Sequence, residues 1–133
     1  MSPADTPLEM GLDRATVFVV DDDSAVRAAI SMLVAACGWD AIPCANADDF
    51  LCRYSRATRQ CLVLDLQMPG LSGVDLQLAL RRRGDDIPII VVTANHDHPD
   101  AELARVHGAQ AVLGKPFRDG DLVDCIERAL APD

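Results

Sequence analysis

Four short stretches of this 133-residue chain set chemically capable side chains directly behind apolar runs. They are Val19-Val20-Asp21-Asp22-Asp23, Leu64-Asp65, Val92-Thr93 and Leu113-Gly114-Lys115-Pro116. Asp21 and Asp22 are sequence neighbours, and Asp65 is expected across from them on an adjacent strand. Crowded carboxylates raise one another's pKa or take up a cation. A hard divalent ion, Mg2+ above all, relieves the crowding with one or two carboxylates, a carbonyl and several waters. Lys115 is the only lysine in the chain, and a compact ammonium beside carboxylates suits a phosphoryl oxygen as a point charge. Thr93 can donate its hydroxyl to the same oxygen. Taken singly, each residue has a plainer reading. Asp22 or Asp23 can meet a helix N-terminal dipole, Thr93 can be an ordinary strand end, and Lys115 can be solvated. Their joint appearance at strand ends is what the plain readings do not explain.

The elements that must carry them are legible from patterning. Thr16 to Val20 is apolar and β-branched without alternation, which is the look of a strand buried on both faces. Ser24 to Cys37 follows with a helical stripe at Val26, Ile30, Leu33 and Val34, and Gly38 stands where a C-terminal cap belongs. The spacing then predicts a strand over 39–44, a helix capped by Asn46 and running to Tyr54, and a strand over 61–64 that ends at Asp65. Pro69, Gly70 and Gly73 mark a loop. A helix over 74–83, a strand over 87–92, a helix from Asp97 or Pro99 to Val106, a strand over 111–113 and a helix over 119–131 complete the series. Five apolar strands alternating with five helices describe an α/β fold with a parallel sheet and right-handed crossovers. In such sheets ligand sites form at the carboxyl ends of the strands, which is where the four stretches fall.

Composition narrows the classes. Acids outnumber bases 21 to 12, a formal charge of -9. That argues against direct nucleic-acid binding or an anionic membrane as partner, since both need a basic footprint. No apolar run reaches the ~18 residues of a membrane span. Five cysteines without a C-x-x-C pair read as small hydrophobes in a reducing cytoplasm, not as a disulfide or zinc framework. Residues 1–14 read as a flexible leader and 15–133 as one domain. His96 and His98 read as solvated loop residues, and Arg81-Arg82-Arg83 as a helix end whose cations suit the dipole.

Together, Val19-Val20-Asp21-Asp22-Asp23, Leu64-Asp65-Leu66-Gln67-Met68-Pro69-Gly70, Thr93-Ala94 and Lys115-Pro116-Phe117 resemble the receiver domain of two-component response regulators, the CheY-like family. The resemblance spans about 16–131, and its wording is most similar to receivers of FixJ-type transcriptional regulators. It implies a doubly wound, flavodoxin-like sheet of order 2-1-3-4-5. It implies that Asp65 accepts a phosphoryl group from a histidine kinase or phosphotransfer protein, as an acyl phosphate. Asp21, Asp22, Asp65 and the Gln67 backbone carbonyl would form the Mg2+ site, with Asp21 acting largely through water. Thr93 and Lys115 would hold phosphoryl oxygens, and the Lys115–Pro116 bond would be cis. The chain would act on a downstream target protein or a missing output domain, as a monomer or a dimer promoted by phosphorylation. One position departs from the family. Where an aromatic ring often stands three residues before the lysine, this chain has Val112. The output change is therefore expected in the loop after Thr93 and the helix from Asp97.

Other functions share the layout. A haloacid-dehalogenase-type hydrolase also forms an aspartyl phosphate but needs a second acid where Gln67 stands. A flavodoxin-type electron carrier needs a hydroxyl- and glycine-rich phosphate loop, where this chain has Asp21-Asp22-Asp23-Ser24. A receiver-like interaction module that takes no phosphate is the third alternative.

Overall fold

The computed structural model describes residues 14–70, 72–95 and 97–131. The leader expected over residues 1–14 lies outside them except for Arg14, as does His96. Ten elements follow in strict alternation: β1 (Thr16–Val20), α1 (Ser24–Ala36), β2 (Asp40–Cys44), α2 (Ala47–Arg53), β3 (Gln60–Asp65), α3 (Gly73–Arg82), β4 (Ile89–Thr93), α4 (Pro99–Val106), β5 (Ala111–Gly114) and α5 (Asp119–Leu130). All strand pairs are parallel, in the order β2-β1-β3-β4-β5 expected for the doubly wound fold.

The two-residue period of a strand divides each one between two cores. Val17 and Val19 of β1, with Val63, Ile90 and Val92, meet Ile30 and Val34 of α1 and Leu122 and Ile126 of α5. Phe18 and Val20, with Leu62, Leu64, Ile89 and Val91, meet Phe50 of α2, Leu76 and Leu80 of α3 and Ala101 of α4. Each fully buried side chain of this size contributes roughly 1.5–3 kcal/mol against exposure. β2 is an edge strand, which is why it tolerates Pro43 in its interior.

The helices start where capping chemistry allows. The Asp23 carboxylate accepts from the amides of Ala25 and Val26 at 2.9 and 3.2 Å, and Asn46 accepts from Asp49 at 2.8 Å. Ser72 and Asp75 form a reciprocal capping box on α3. His98, expected as a solvated loop residue, is half-buried and caps α4 by accepting the Asp100 amide on Nδ1 at 3.0 Å.

Several boundaries differ from the pattern reading by a residue or two, and the starts of two strands have a visible cause. β2 begins at Asp40, because the Trp39 amide is spent on the Val34 carbonyl at the end of α1. β4 begins at Ile89, because the Ile87 amide donates to the Asp85 carboxylate at 3.1 Å and Pro88 has no N–H to give. That carboxylate also accepts the Tyr54 hydroxyl at 2.6 Å, in a buried pair that ties α2 to the turn before β4.

Candidate functional site at the carboxyl rim

The register of the sheet sets the rim. Val20 pairs with Leu64, so the residues just beyond, Asp21 and Asp65, stand side by side at the ends of the two central strands. Both are buried, at 1% and 4% exposure, while Asp22 is exposed. Carboxylate oxygens of Asp21, Asp22 and Asp65 lie within 4.8 Å of one another. From the end of β5, Lys115 reaches over them, its Nζ 2.9 Å from Asp21 Oδ2 and 3.7 Å from Asp65 Oδ2. The Lys115 amide donates to the Thr93 carbonyl at 2.7 Å, fixing the start of the loop that carries the side chain. The Lys115–Pro116 bond is cis.

Not every residue expected at the rim faces the cluster. Asp23 is spent as the α1 cap, although its amide donates to Asp21 Oδ1 at 2.9 Å. Gln67 meets the site through its amide, which donates to Asp65 Oδ1 at 3.2 Å. Thr93 is fully buried at the end of β4, yet its hydroxyl accepts the Asn95 amide at 3.1 Å and donates to the Asn95 carbonyl at 3.3 Å. It is bound to its own loop instead of to Asp65. Val112 lies beside Val91 and packs as an aliphatic on the α2–α3–α4 face.

Charge follows from this packing. Burial, and then the adjacent Asp21 carboxylate, push the Asp65 carboxyl from its usual 3.8 up to about 6, against the pull of the Gln67 amide and Lys115. Burial works against the Lys115 ammonium. The hydrogen bond it donates to Asp21 and the charges of Asp65, Asp21 and Asp23 outweigh it and hold the lysine above its ordinary value. Three hard oxygen donors with only one ammonium among them, one donor open to water, are the set a small divalent cation takes. The residues present fit Mg2+.

Two contributors escaped the sequence reading. Gly73 opens α3 so close to the rim that a Cβ there would stand 2.7 Å from both the Asp65 carbonyl oxygen and the Leu66 Cα. Its only sequence signal was a glycine at a loop-to-helix junction. Arg27, one turn into α1, donates to the Asp21 carbonyl at 2.6 Å, a contact between residues six apart that no periodicity announces.

The model of the response regulator receiver domain matches residues 17–127. The response regulator protein TodT of Pseudomonas putida is 40% identical over 129 residues, covering 96% of this chain and 57% of that protein. Nodulation protein W of Bradyrhizobium diazoefficiens is 38% identical over 120 residues, 90% of this chain and 53% of its own length. This chain thus spans about half the length of the curated relatives it matches. Among solved structures, the response regulator StyR superposes with a TM-score of 0.82 at 41% identity, over 88% of this chain and 59% of that one. The structure titled FixJ-N gives 0.81 at 35% identity, over 88% and 94%.

Proposed function

The chain belongs to the response regulator receiver domain family of two-component signalling, and from that premise we propose that Asp65 is its phosphoacceptor in a Mg2+-dependent reaction. The observation that carries the proposal is the placement of Asp65, buried at the end of a central strand with Asp21, Asp22 and Lys115 around its carboxylate. A sensor histidine kinase or a phosphotransfer protein is the donor. An Asp65 oxygen attacks phosphorus as the phosphorus–nitrogen bond to the donor histidine breaks, and the histidine keeps the bonding pair. Asp22, Asp65 and the Gln67 carbonyl would hold the cation, with Asp21 acting largely through water. When bound, Mg2+ would neutralise charge on the phosphoryl oxygens and favour the ionised form of Asp65. Lys115 pairs with one phosphoryl oxygen and Thr93 donates its hydroxyl to another. This is catalysis by positioning and charge, as a loose phosphoryl transition state requires. An apolar groove lined by Val26, Ala29, Ile30, Leu33, Pro116 and Phe117 opens beside Lys115 and supports docking of the donor.

The switch runs through Thr93. To reach a phosphoryl oxygen its hydroxyl must release Asn95, and that change passes into the loop leading to α4, with no aromatic ring at Val112 to share it. The moved surface acts on a downstream target protein or on an output domain of a longer chain, in the cytoplasm. The domain itself is regulatory; the only reactions assigned to it are its own phosphorylation and dephosphorylation. Gln67 at the position of a hydrolase's second acid speaks against turnover of external phosphate esters.

Incubation with acetyl phosphate and Mg2+ followed by mass spectrometry is expected to show one added phosphoryl group, abolished by Asp65→Asn and by chelation. Amide resonances after Thr93 are expected to shift in the phosphorylated sample. An adduct that persists in Asp65→Asn would overturn the acceptor assignment, and no adduct on the wild-type chain would leave a receiver that does not take phosphate.

A further inference from the structure

Asp21 is gripped on every side. Its amide donates to the Cys44 carbonyl on β2 at 3.3 Å, its carboxylate accepts from Asp23 and Lys115, and its carbonyl accepts from the Arg27 guanidinium at 2.6 Å. Asp22 is exposed and takes its direction from the backbone that precedes it. The peptide joining Asp21 to Asp22 is rigid and planar, so holding its oxygen also fixes the amide and Cα of Asp22. Arg27 is well placed to do this. Its own amide makes the first helical bond of α1, to the Asp23 carbonyl at 2.9 Å, and side chains on a helix lean back toward its N-terminus. The bond to the carbonyl is charge-assisted.

We infer that Arg27 is a positioning residue for the cation site: by clamping the Asp21 carbonyl it aims the Asp22 carboxylate at the place between Asp21 and Asp65. The inference rests on the reading above that Asp22 and Asp65 hold Mg2+. Two effects of Arg27 oppose each other. Its positive charge beside the cluster disfavours a divalent cation, so charge alone would make its removal tighten Mg2+ binding. Its clamp favours the cation by sparing Asp22 a search for the right direction, so removal would weaken binding. The sign of the change decides between them.

The experiment is calorimetric titration of the full chain with MgCl2 alone, for wild type, Arg27→Met and Arg27→Lys. Arg27→Met keeps much of the apolar stem but removes the donor and the charge. It is expected to weaken Mg2+ binding about tenfold, the range for groups that orient metal ligands. Arg27→Lys keeps the charge without the planar fork and is expected to recover part of that loss. Metal-free melting in chelator separates a folding defect from a positioning one. If Arg27→Met does not fold, Arg27→Gln is read in its place, with weaker binding expected in the same direction. Unchanged or tighter Mg2+ binding in a folded variant overturns the role of Arg27 and leaves the metal site standing. Absence of Mg2+ binding by the wild-type chain overturns the metal site itself.

Discussion

Asp65 is a carboxyl held in conflict with its surroundings, and the conflict has a pH signature. Its folded pKa is raised from 3.8 to about 6, first by burial and then by Asp21. A carboxyl whose pKa is higher folded than unfolded favours the folded state while both forms are protonated, below about pH 4. It loses that contribution as pH rises through about 6. The loss is at most about 3 kcal/mol. In the presence of a chelator, denaturation of the wild-type chain is therefore expected to show falling stability across this window relative to Asp65→Asn. Parallel curves for the two proteins would show that Asp65 is not the strained group. At this scale the sequence was informative wherever a polar residue ended an apolar strand, as with Asp21, Asp65 and Thr93. It was less so for Asp23, because a residue one step further along enters the helix cap, and nothing in its type tells a cap from a ligand.

Elements decide how closely the rim can be built. α3 begins at Gly73 against the backbone of Asp65 and Leu66, and the Gly73 amide donates to the Leu66 carbonyl at 3.1 Å. A methyl group there has backbone on two sides and no flexible side chain alone to push away. Gly73→Ala is expected to cost about 1–3 kcal/mol in chemical denaturation and to slow phosphoryl uptake by displacing Asp65. A neutral substitution would show that α3 can shift without disturbing the site. Across the same face, the fully buried Gln77 of α3 donates to the carbonyls of Ala104 and His107 at 3.0 and 3.1 Å. The C-terminal end of α4 is tied down in this way, and its N-terminal end joins the loop that begins after Thr93. Helix and strand types were legible from period, and the Asn46 cap from residue type. The start of β4 was not, because the amide of Ile87 was claimed by Asp85, a partner fixed by the buried pair with Tyr54.

The described residues form one sheet with a core on each face, and the single tryptophan and single tyrosine lie on opposite sides of it. Trp39 packs against the α1–α5 core. Tyr54 stacks on Phe50 and meets Phe18 edge-on in the other core. Both cores draw on alternate residues of the same strands, so neither face can melt while the other keeps its sheet. Trp39 fluorescence and a selectively labelled Tyr54 resonance are expected to report the same denaturation midpoint, as for a small cooperative domain. Separate midpoints would show that the faces unfold independently.

The sequence by itself determined the alternation of strands and helices and the polar residues that end the strands, because side-chain period and residue type are local properties. It determined the charge as well. What only the tertiary structure decided is which of those residues meet. Parallel register brings Asp21 beside Asp65, Lys115 crosses from β5 to Asp21 over 94 positions of sequence, and the Thr93 hydroxyl turns to Asn95. Distances of this kind are set by the packing of a twisted sheet against five helices. No stretch of the chain contains them alone.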